Sequence, residues 1–233
     1  MRLSVVIPLY NERETINAVI DRVWTVASPY EVIVVDDGST DGSQHLVKVL
    51  RDKYPASVHL LYHDRNLGKG AALRTALERV SGDVVMIQDA DLEYHPEDYP
   101  AALRLIEQGH ADAVYGSRFI GPHRAFLLWH YLGNRFLTGM CNLMTSGILS
   151  DMETGFKMVR TGVLKALALK SNGFDIEVEI TVKLFRYGYR VYEIPITYTG
   201  RTYDEGKKIT WKDGVYALGS LVKWALISGH DRK

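Results

Sequence analysis

Two aspartates one residue apart, Asp89 and Asp91, directly follow the largely apolar run 84–88. A short run rich in β-branched residues and bounded by polar ones is typical of a buried strand. Two carboxylates at the end of such a strand can hold a hard divalent cation, which prefers oxygen ligands, and Glu93 could add a third oxygen. An ordinary acidic loop is the alternative. The pattern therefore predicts a candidate metal site at residues 89–93. The rest of the sequence must decide between this site and an ordinary loop.

A second carboxylate pair, Asp36 and Asp37, ends another apolar run and is followed by Gly38 and Ser39. Acids, glycine and serine also form turns and cap helices, so a structural role and a functional role are equally open for this pair alone. Its position at the end of a strand nevertheless places it where a ligand could reach it.

Two familiar phosphate-binding signatures are missing. The first apolar run ends at Pro8 and continues into Tyr10 and Glu12, without the glycines that a dinucleotide site of the Rossmann type needs. This argues against a dehydrogenase. The segment 68–70, with Lys69 between two glycines, superficially resembles a phosphate loop, but position 63 is histidine and Lys69 is followed by glycine, so it is not a Walker A motif.

The elements that must position these residues alternate along the first 120 residues. Strand patterns lie at 3–8, 31–36, 57–62, 83–88 and 112–116, and helix patterns lie at 12–26, 41–52, 69–80 and 97–108. The remainder predicts helices at 124–149, 175–187 and 211–227, and strands at 155–159 and 190–198. Apolar strands separated by amphipathic helices indicate a parallel sheet covered on both faces, with ligands at the carboxyl ends of the strands.

We therefore expect an α/β fold: a Rossmann-type, mostly parallel sheet flanked by helices, with a smaller C-terminal lobe of helices and strands. No linker or repeat interrupts the chain, so we predict one domain, 1–233. Within it, residues 1–120 form the nucleotide-binding half, and residues 121–233 form the acceptor-binding half with amphipathic helices.

Composition limits the environment and the partners. The chain is 46% hydrophobic and 24% charged, as in ordinary globular proteins, and it balances 28 basic against 28 acidic residues, which gives no electrostatic case for nucleic acid. Cys141 is alone, which excludes an internal disulfide framework and suits a reducing cytosol. Since no signal peptide precedes the first strand pattern, we expect a cytoplasmic protein.

Two apolar segments, 124–149 and 215–227, fall short of the roughly 18–20 uninterrupted apolar residues that a spanning helix needs. Both could lie on the surface of a membrane, which would make the protein peripheral on the cytoplasmic membrane face. In 124–149 a polar stripe formed by His130, Asn134, Thr138 and Asn142 follows helical spacing. Its opposite, apolar side could receive a lipid tail or simply pack on the sheet.

Four motifs occur in order: Pro8-x-Tyr10-Asn11-Glu12, Val35-Asp36-Asp37-Gly38-Ser39-x-Asp41, Asn66-x-Gly68-x-Gly70-x-Ala72 and Asp89-Ala90-Asp91. In this combination the chain resembles, over essentially its whole length, the family 2 inverting glycosyltransferases, which have the GT-A fold. The second half carries Gly116-Ser117-Arg118, Gly133-Asn134-Arg135, Asp151-x-x-Thr154-Gly155-Phe156 and the late cations Arg201, Lys207 and Lys208. These segments are similar to the polyprenyl-phosphate sugar synthases, which include the dolichol-phosphate mannose synthases.

The resemblance implies a role for each motif. Asp89, Asp91 and Glu93 would hold Mg²⁺ or Mn²⁺ on the donor diphosphate. The donor nucleotide would be bound by Pro8, Tyr10, Glu12, Asp36, Asp37, Lys69, Asp89, Ala90 and Asp91, with Asp37 at the base or ribose. Catalysis would involve Asp89, Asp91, Arg118, Arg135, Asp151 and Arg201, of which the arginines would bind phosphates. The guanidinium fork matches phosphate oxygens better than an ammonium does.

The implied reaction transfers a hexose from a nucleoside diphosphate sugar, GDP-mannose first and UDP-glucose second, to a polyprenyl phosphate or similar lipid-linked acceptor. A phosphate acceptor is already ionised and needs no strong base, whereas a soluble sugar hydroxyl needs one, for which Asp151 or Glu177 are the candidates. Arg201, Lys207 and Lys208, within a glycine-bounded segment 200–208 that we predict to be mobile, favour the phosphate.

Three alternatives stay open at this point. They are transfer to a soluble sugar hydroxyl, a nucleotidyltransferase, and a non-catalytic sugar-nucleotide binder. Many polyprenyl-phosphate enzymes of this kind carry C-terminal transmembrane helices, and we expect none in the sequence up to Lys233. Its amphipathic segments could therefore contact a membrane, a membrane-anchored partner could hold it, or its acceptor could be soluble.

Overall fold

The computed structural model describes residues 1–53, 56–125, 127–201 and 211–227. Its strands are β1 Leu3–Leu9, β2 Glu31–Asp36, β3 Val58–Tyr62, β4 Val84–Ile87, β5 Ala113–Ser117, β6 Lys157–Arg160 and β7 Val191–Pro195. Each overlaps one of the predicted strands, although β7 ends three residues before the predicted end at 198. The predicted mobile segment 200–208 lies outside the described residues from position 202 onward, as do Lys207 and Lys208.

These strands form one sheet in the order β3-β2-β1-β4-β6-β5-β7. The pairs β1–β2, β2–β3, β1–β4 and β5–β7 are parallel, whereas β6 runs antiparallel to both of its neighbours. The prediction of an α/β fold with a mostly parallel sheet is confirmed. Because β1 lies between β2 and β4, the loops that follow these three strands meet at one edge of the sheet.

The helices are α1 Ile16–Ala27, α2 Ser43–Lys53, α3 Lys69–Arg79, α4 Tyr99–Glu107, α5 Leu128–Thr145, α6 Thr161–Ala166, α7 Ile176–Arg186 and α8 Trp211–Ile227. The helix predicted from residue 12 begins later, because residues 12–15 turn toward the loop after β4, where the Thr15 hydroxyl donates to the carbonyl of Ala90 at 2.6 Å. The sequence analysis missed α6, which is too short to show a helical period.

Apolar side chains cover both faces of the sheet. Residues from α1, α2 and α4 form the core on one face, and residues from α3, α6 and α7 form the core on the other. Every residue of β2 is buried, including Asp36. A sheet buried on both faces needs near-continuous apolar strands, which explains why the strand runs were easy to identify.

A third apolar cluster joins α5, α7 and α8 beside the sheet and includes Leu137, Cys141, Val182 and Trp224. The buried side of α5 is the side with the polar stripe, since Thr138 is fully buried and Asn142 exchanges hydrogen bonds with the backbone of Leu149. The apolar side faces outward. It exposes Leu128, Trp129, Leu132, Phe136 and Leu143, with Trp129 81% exposed. The alternative in which this side packs on the sheet is therefore wrong.

Within the described ranges, no helix is both long enough and apolar enough to cross a membrane.

Candidate active site

Hydrogen bonds join the loops after β1, β2 and β4 into one edge. The backbone N–H of Asn11 donates to the hydroxyl of Ser39 at 3.0 Å, and the N–H of Glu12 donates to that of Ser43 at 3.1 Å. Asn11 has a left-handed φ of 51°, which turns the chain immediately after Tyr10. Pro8 lies in β1 opposite Val35, and the Tyr10 side chain is 37% exposed at this edge. The predicted nucleotide residues are thus brought together.

Asp37 is held by donors of the protein itself. Its two carboxylate oxygens accept the backbone N–H groups of Leu67 at 2.9 Å and Gly68 at 2.8 Å, and Nδ1 of His63 lies 2.6 Å from Oδ1. Asp37 therefore anchors the loop before α3. Asp36 is less engaged: its Oδ1 accepts one long N–H bond from Ser39, at 3.3 Å. Gly38, with φ of 73°, lies against the backbone of this loop, where a Cβ would come within 2.6 Å.

Asp89 forms an ion pair with the first residue of α3. Nζ of Lys69 lies 2.6 Å from Oδ1 of Asp89 and 2.9 Å from Oε1 of Glu177. Burial alone would lower the pKa of Lys69, but the two carboxylates outweigh it and raise that pKa above its ordinary value. On the other side of Asp89 lies Gly155, where a Cβ would come within 2.3 Å of Oδ2. A glycine at 155 thus leaves room for this carboxylate.

Asp91 lies in a group of three carboxylates around Arg201. The guanidinium lies 3.0 Å from Oδ2 of Asp91, 3.2 Å from Oε1 of Glu12 and 3.6 Å from Oε1 of Glu93. Burial, together with the nearby charges of Asp89 and Glu93, raises the pKa of Asp91 to about 7. The carboxylates thus outnumber the cation that faces them.

This donor set fits a hard divalent cation by its chemistry, because it offers several carboxylate oxygens around a partly neutralised centre. The predicted ligands Asp89, Asp91 and Glu93 do not form a ready-made cage, however. Within the described residues, no three His, Cys, Asp or Glu side chains converge closely enough to hold a metal ion. Lys69 and Arg201 pair with these acids instead, so an ion at Asp89 and Asp91 would displace cationic side chains.

The arginines predicted to bind phosphates lie in two places: Arg201 is beside Asp91, whereas Arg118 and Arg135 are beside Asp151. Arg118 follows β5 and grips the fully buried Asp151 with two parallel bonds of 2.7 Å, and its backbone N–H adds a third at 3.1 Å. Asp151 is oriented in turn by Glu193, which accepts its N–H at 3.1 Å. Arg135, on α5, is exposed and donates to the carbonyl of Ser150 at 2.9 Å, next to Asp151.

The sequence did not reveal the roles of two residues near this edge. Tyr198 donates to Glu93 at 2.7 Å and lies under the guanidinium of Arg118, 5.5 Å from the ring centre. Lys157 neutralises Glu177 from inside the core. A lysine in the middle of the predicted strand 155–159 was a signal for a buried ion pair, but its partner is 20 residues away in sequence.

The model of the glycosyl transferase family 2 matches residues 4–168, which run from the second residue of β1 past the end of β6 and include most of the residues just described. The chain belongs to this family. Family membership confirms the resemblance read from the motifs and makes a nucleotidyltransferase the wrong class.

Two named relatives resemble the chain closely. It is 32% identical over 213 residues to the dolichol-phosphate mannosyltransferase of Pyrococcus furiosus. This match covers 89% of this chain and 59% of that protein, so the chain spans about three fifths of this relative's length. It is also 32% identical over 240 residues to the undecaprenyl-phosphate mannosyltransferase of Micrococcus luteus, which covers 97% of this chain and 95% of that protein.

Solved structures support the fold. The glucosyl-3-phosphoglycerate synthase of Mycobacterium tuberculosis, crystallised with Mn²⁺, uridine diphosphate and glucosyl-3-phosphoglycerate, superposes with a TM-score of 0.73. The match has 21% sequence identity and covers 96% of this chain and 80% of that one. This likeness shows a shared GT-A-type fold.

Proposed function

We propose that this glycosyltransferase moves a hexose, with inversion, from a nucleoside diphosphate sugar to the phosphate of a polyprenyl phosphate. A phosphate oxygen attacks the anomeric carbon, the bond from that carbon to the donor phosphate breaks, and the nucleoside diphosphate leaves. Relatives named as dolichol-phosphate and undecaprenyl-phosphate mannosyltransferases support this acceptor class and make GDP-mannose the first donor to test, with UDP-glucose second.

The choice of a phosphate acceptor rests on the ion pairs of the two candidate bases, Asp151 and Glu177. Asp151 is enclosed by Arg118 with two bonds of 2.7 Å. Glu177 faces ammonium groups on both sides, those of Lys69 and Lys157. Burial alone would raise the pKa of Glu177, but these two lysines lower it. Both carboxylates are thus paired with cationic side chains of the protein. A sugar hydroxyl would need one of them as its base, whereas a phosphate acceptor requires no such base.

The cations and acids divide the remaining tasks. Asp89 and Asp91 would hold a divalent ion, which supplies Lewis-acid stabilisation of the charge on the departing diphosphate. Mn²⁺ in the related crystal structure supports such an ion. Arg201, which bridges Glu12 and Asp91, is suited to turn toward a phosphate once that ion neutralises the acids. Asp36 is the better residue for the base or ribose, since Asp37 is committed to its own loop.

The exposed face of α5 supports a lipid acceptor and contact with a membrane. Trp129, Leu132 and Phe136 lie on the outside of the same helix whose Arg135 contacts the loop of Asp151. A tail resting on this face would keep its phosphate near the arginines. Aromatic and aliphatic side chains on one side of a helix are typical of helices that lie in the membrane interface. We propose that the protein docks there with this face.

The test offers radiolabelled GDP-mannose and UDP-glucose to the protein with Mn²⁺ or Mg²⁺, together with polyprenyl phosphate or with soluble sugars. We expect an organic-extractable, lipid-linked product that requires the metal and one preferred donor. Label recovered only in a soluble glycoside would contradict the proposed acceptor.

The proposed docking face of α5 is tested by introducing a negative charge into it. Phe136→Glu, on the exposed side, should reduce sedimentation with anionic lipid vesicles several-fold, because the charge would have to enter the apolar layer. Val49→Glu is a matched control, since Val49 is 67% exposed on α2. Equal sedimentation of both variants with the wild type would contradict the docking proposal.

A further inference from the structure

A chain of buried charges leads from Asp89 into the core. Lys69 bridges Asp89 and Glu177 at 2.6 and 2.9 Å, and Nζ of Lys157 lies 2.5 Å from the other oxygen of Glu177. Lys157 is fully buried and also donates to backbone carbonyls of the loop 152–154. The order is therefore carboxylate, ammonium, carboxylate, ammonium, with only the first group at the site edge.

The central member of this chain is Glu177, in the first turn of α7. Its Oε1 is buried and receives no well-aligned hydrogen bond from the described residues, so its contact with Lys69 is mainly electrostatic. The partial positive charge of a helix N-terminus and the two ammonium groups keep this carboxylate negative. It therefore attracts the ammonium of Lys69 away from Asp89 without touching the site itself.

We propose that Glu177 is a positioning residue for the metal ion of the donor: it shares the ammonium of Lys69 with Asp89, so that Asp89 keeps a fixed orientation and enough negative charge to bind the ion. This inference rests on the proposed function, since it requires an ion at Asp89 and Asp91. Without Glu177, the full charge of Lys69 falls on Asp89 and repels a divalent cation. Carboxylates behind metal ligands commonly change metal affinity by about 10–100-fold.

The experiment measures binding of Mn²⁺ by the loss of its free-ion electron paramagnetic resonance signal, in the presence of GDP or UDP, whichever the wild type binds. Glu177→Gln keeps the shape of the side chain and removes its charge, and we expect the Kd for Mn²⁺ to rise about tenfold. The matched control is Glu179→Gln. Glu179 is on the same helix, is fully buried and pairs with Lys183 at 2.6 Å, but it has no contact with Lys69 or Asp89 among the described residues. Its Kd should equal that of the wild type.

A double-mutant cycle separates positioning from a general loss of structure. If Glu177 acts through Lys69, then Glu177→Gln should change the Kd less than about threefold in a Lys69→Met background. If Glu177→Gln alone fails to fold, the positioning role is tested by comparing Lys69→Met with the double variant. The double variant removes both partners of one ion pair and therefore leaves neither of these two charges facing the other's neutral replacement.

The outcomes are distinguishable. An unchanged Kd in Glu177→Gln, an equal loss in Glu179→Gln, or a full tenfold effect in the Lys69→Met background overturns the positioning role while the proposed function stands. A wild-type protein that binds no Mn²⁺ with either nucleotide contradicts the proposed function and this inference together.

Discussion

The carboxylate pair after β2 and the pair after β4 lie at the same edge of the sheet, and their contacts differ in kind. Asp37 is held by backbone N–H groups and a histidine, which are fixed parts of its own loop. Asp89 and Asp91 are held by the long side chains of Lys69 and Arg201, which come from distant parts of the chain. Backbone donors cannot leave without local unfolding, whereas a side-chain cation can be exchanged for another cation. Similar acid pairs can thus be a permanent anchor or an exchangeable ion site.

The largest effect is expected at the exchangeable pair. Asp91→Asn should reduce metal-dependent transfer by about 10²–10³-fold, because it removes a charge that stabilises the ion on the leaving group. The free energy of unfolding should not fall, since the variant also relieves repulsion among the carboxylates around Asp91. Transfer rates with and without EDTA, together with urea denaturation, check both parts. Full activity of the variant in EDTA would contradict the ion site.

The anchor should respond in the opposite way. Asp37→Asn places an amide where backbone donors point, so we expect the free energy of unfolding to fall by about 1–3 kcal/mol. Urea denaturation measures this, with Asp64→Asn, an exposed acid of the next loop, as the control. A variant of normal stability that nevertheless fails to bind nucleotide in calorimetry would show that Asp37 contacts the ligand, and the contrast between the two pairs would be lost.

The sequence could predict what depends on local patterns. Continuous apolar runs identified the strands, and acids at their ends identified the edge where Glu12, Asp36 and Asp91 meet. The partners could not be predicted, because the ion pairs of Lys69 with Glu177 and of Arg201 with Glu12 join residues far apart in sequence. The same holds for α5: its pattern shows two sides, but only the packing of α7 and α8 determines that the side of Thr138 turns inward.

Glu153 differs from both pairs, because it has a buried carboxylate oxygen that no donor in the described part of the chain contacts. Its Oε1 is buried with no hydrogen-bond partner among the described residues. Burial raises the pKa of Glu153 to about 7, although Lys157 nearby opposes the shift. A folded-state pKa above the unfolded value of 4.5 favours the protonated form, so the resulting stability is present at low pH and is lost as pH rises through about 7.

Glu153→Gln should therefore stabilise the protein by about 1–3 kcal/mol at pH 8 relative to its effect at pH 5. Thermal unfolding of the wild type and the variant at both pH values tests it. A variant that is equally or less stabilised at pH 8 would show that Glu153 has a favourable partner when ionised.

The central claim is that the acceptor is a phosphate, since both candidate bases are locked in ion pairs. The most direct measurement compares two acceptors that have the same isoprenoid tail, polyprenyl phosphate and polyprenol. The donor, metal and detergent are the same in both assays. We predict sugar transfer to the phosphate and none above background to the alcohol, at every pH from 6 to about 9, because the two candidate bases, Asp151 and Glu177, are both paired with cationic side chains. Transfer to polyprenol at a comparable rate would contradict the account.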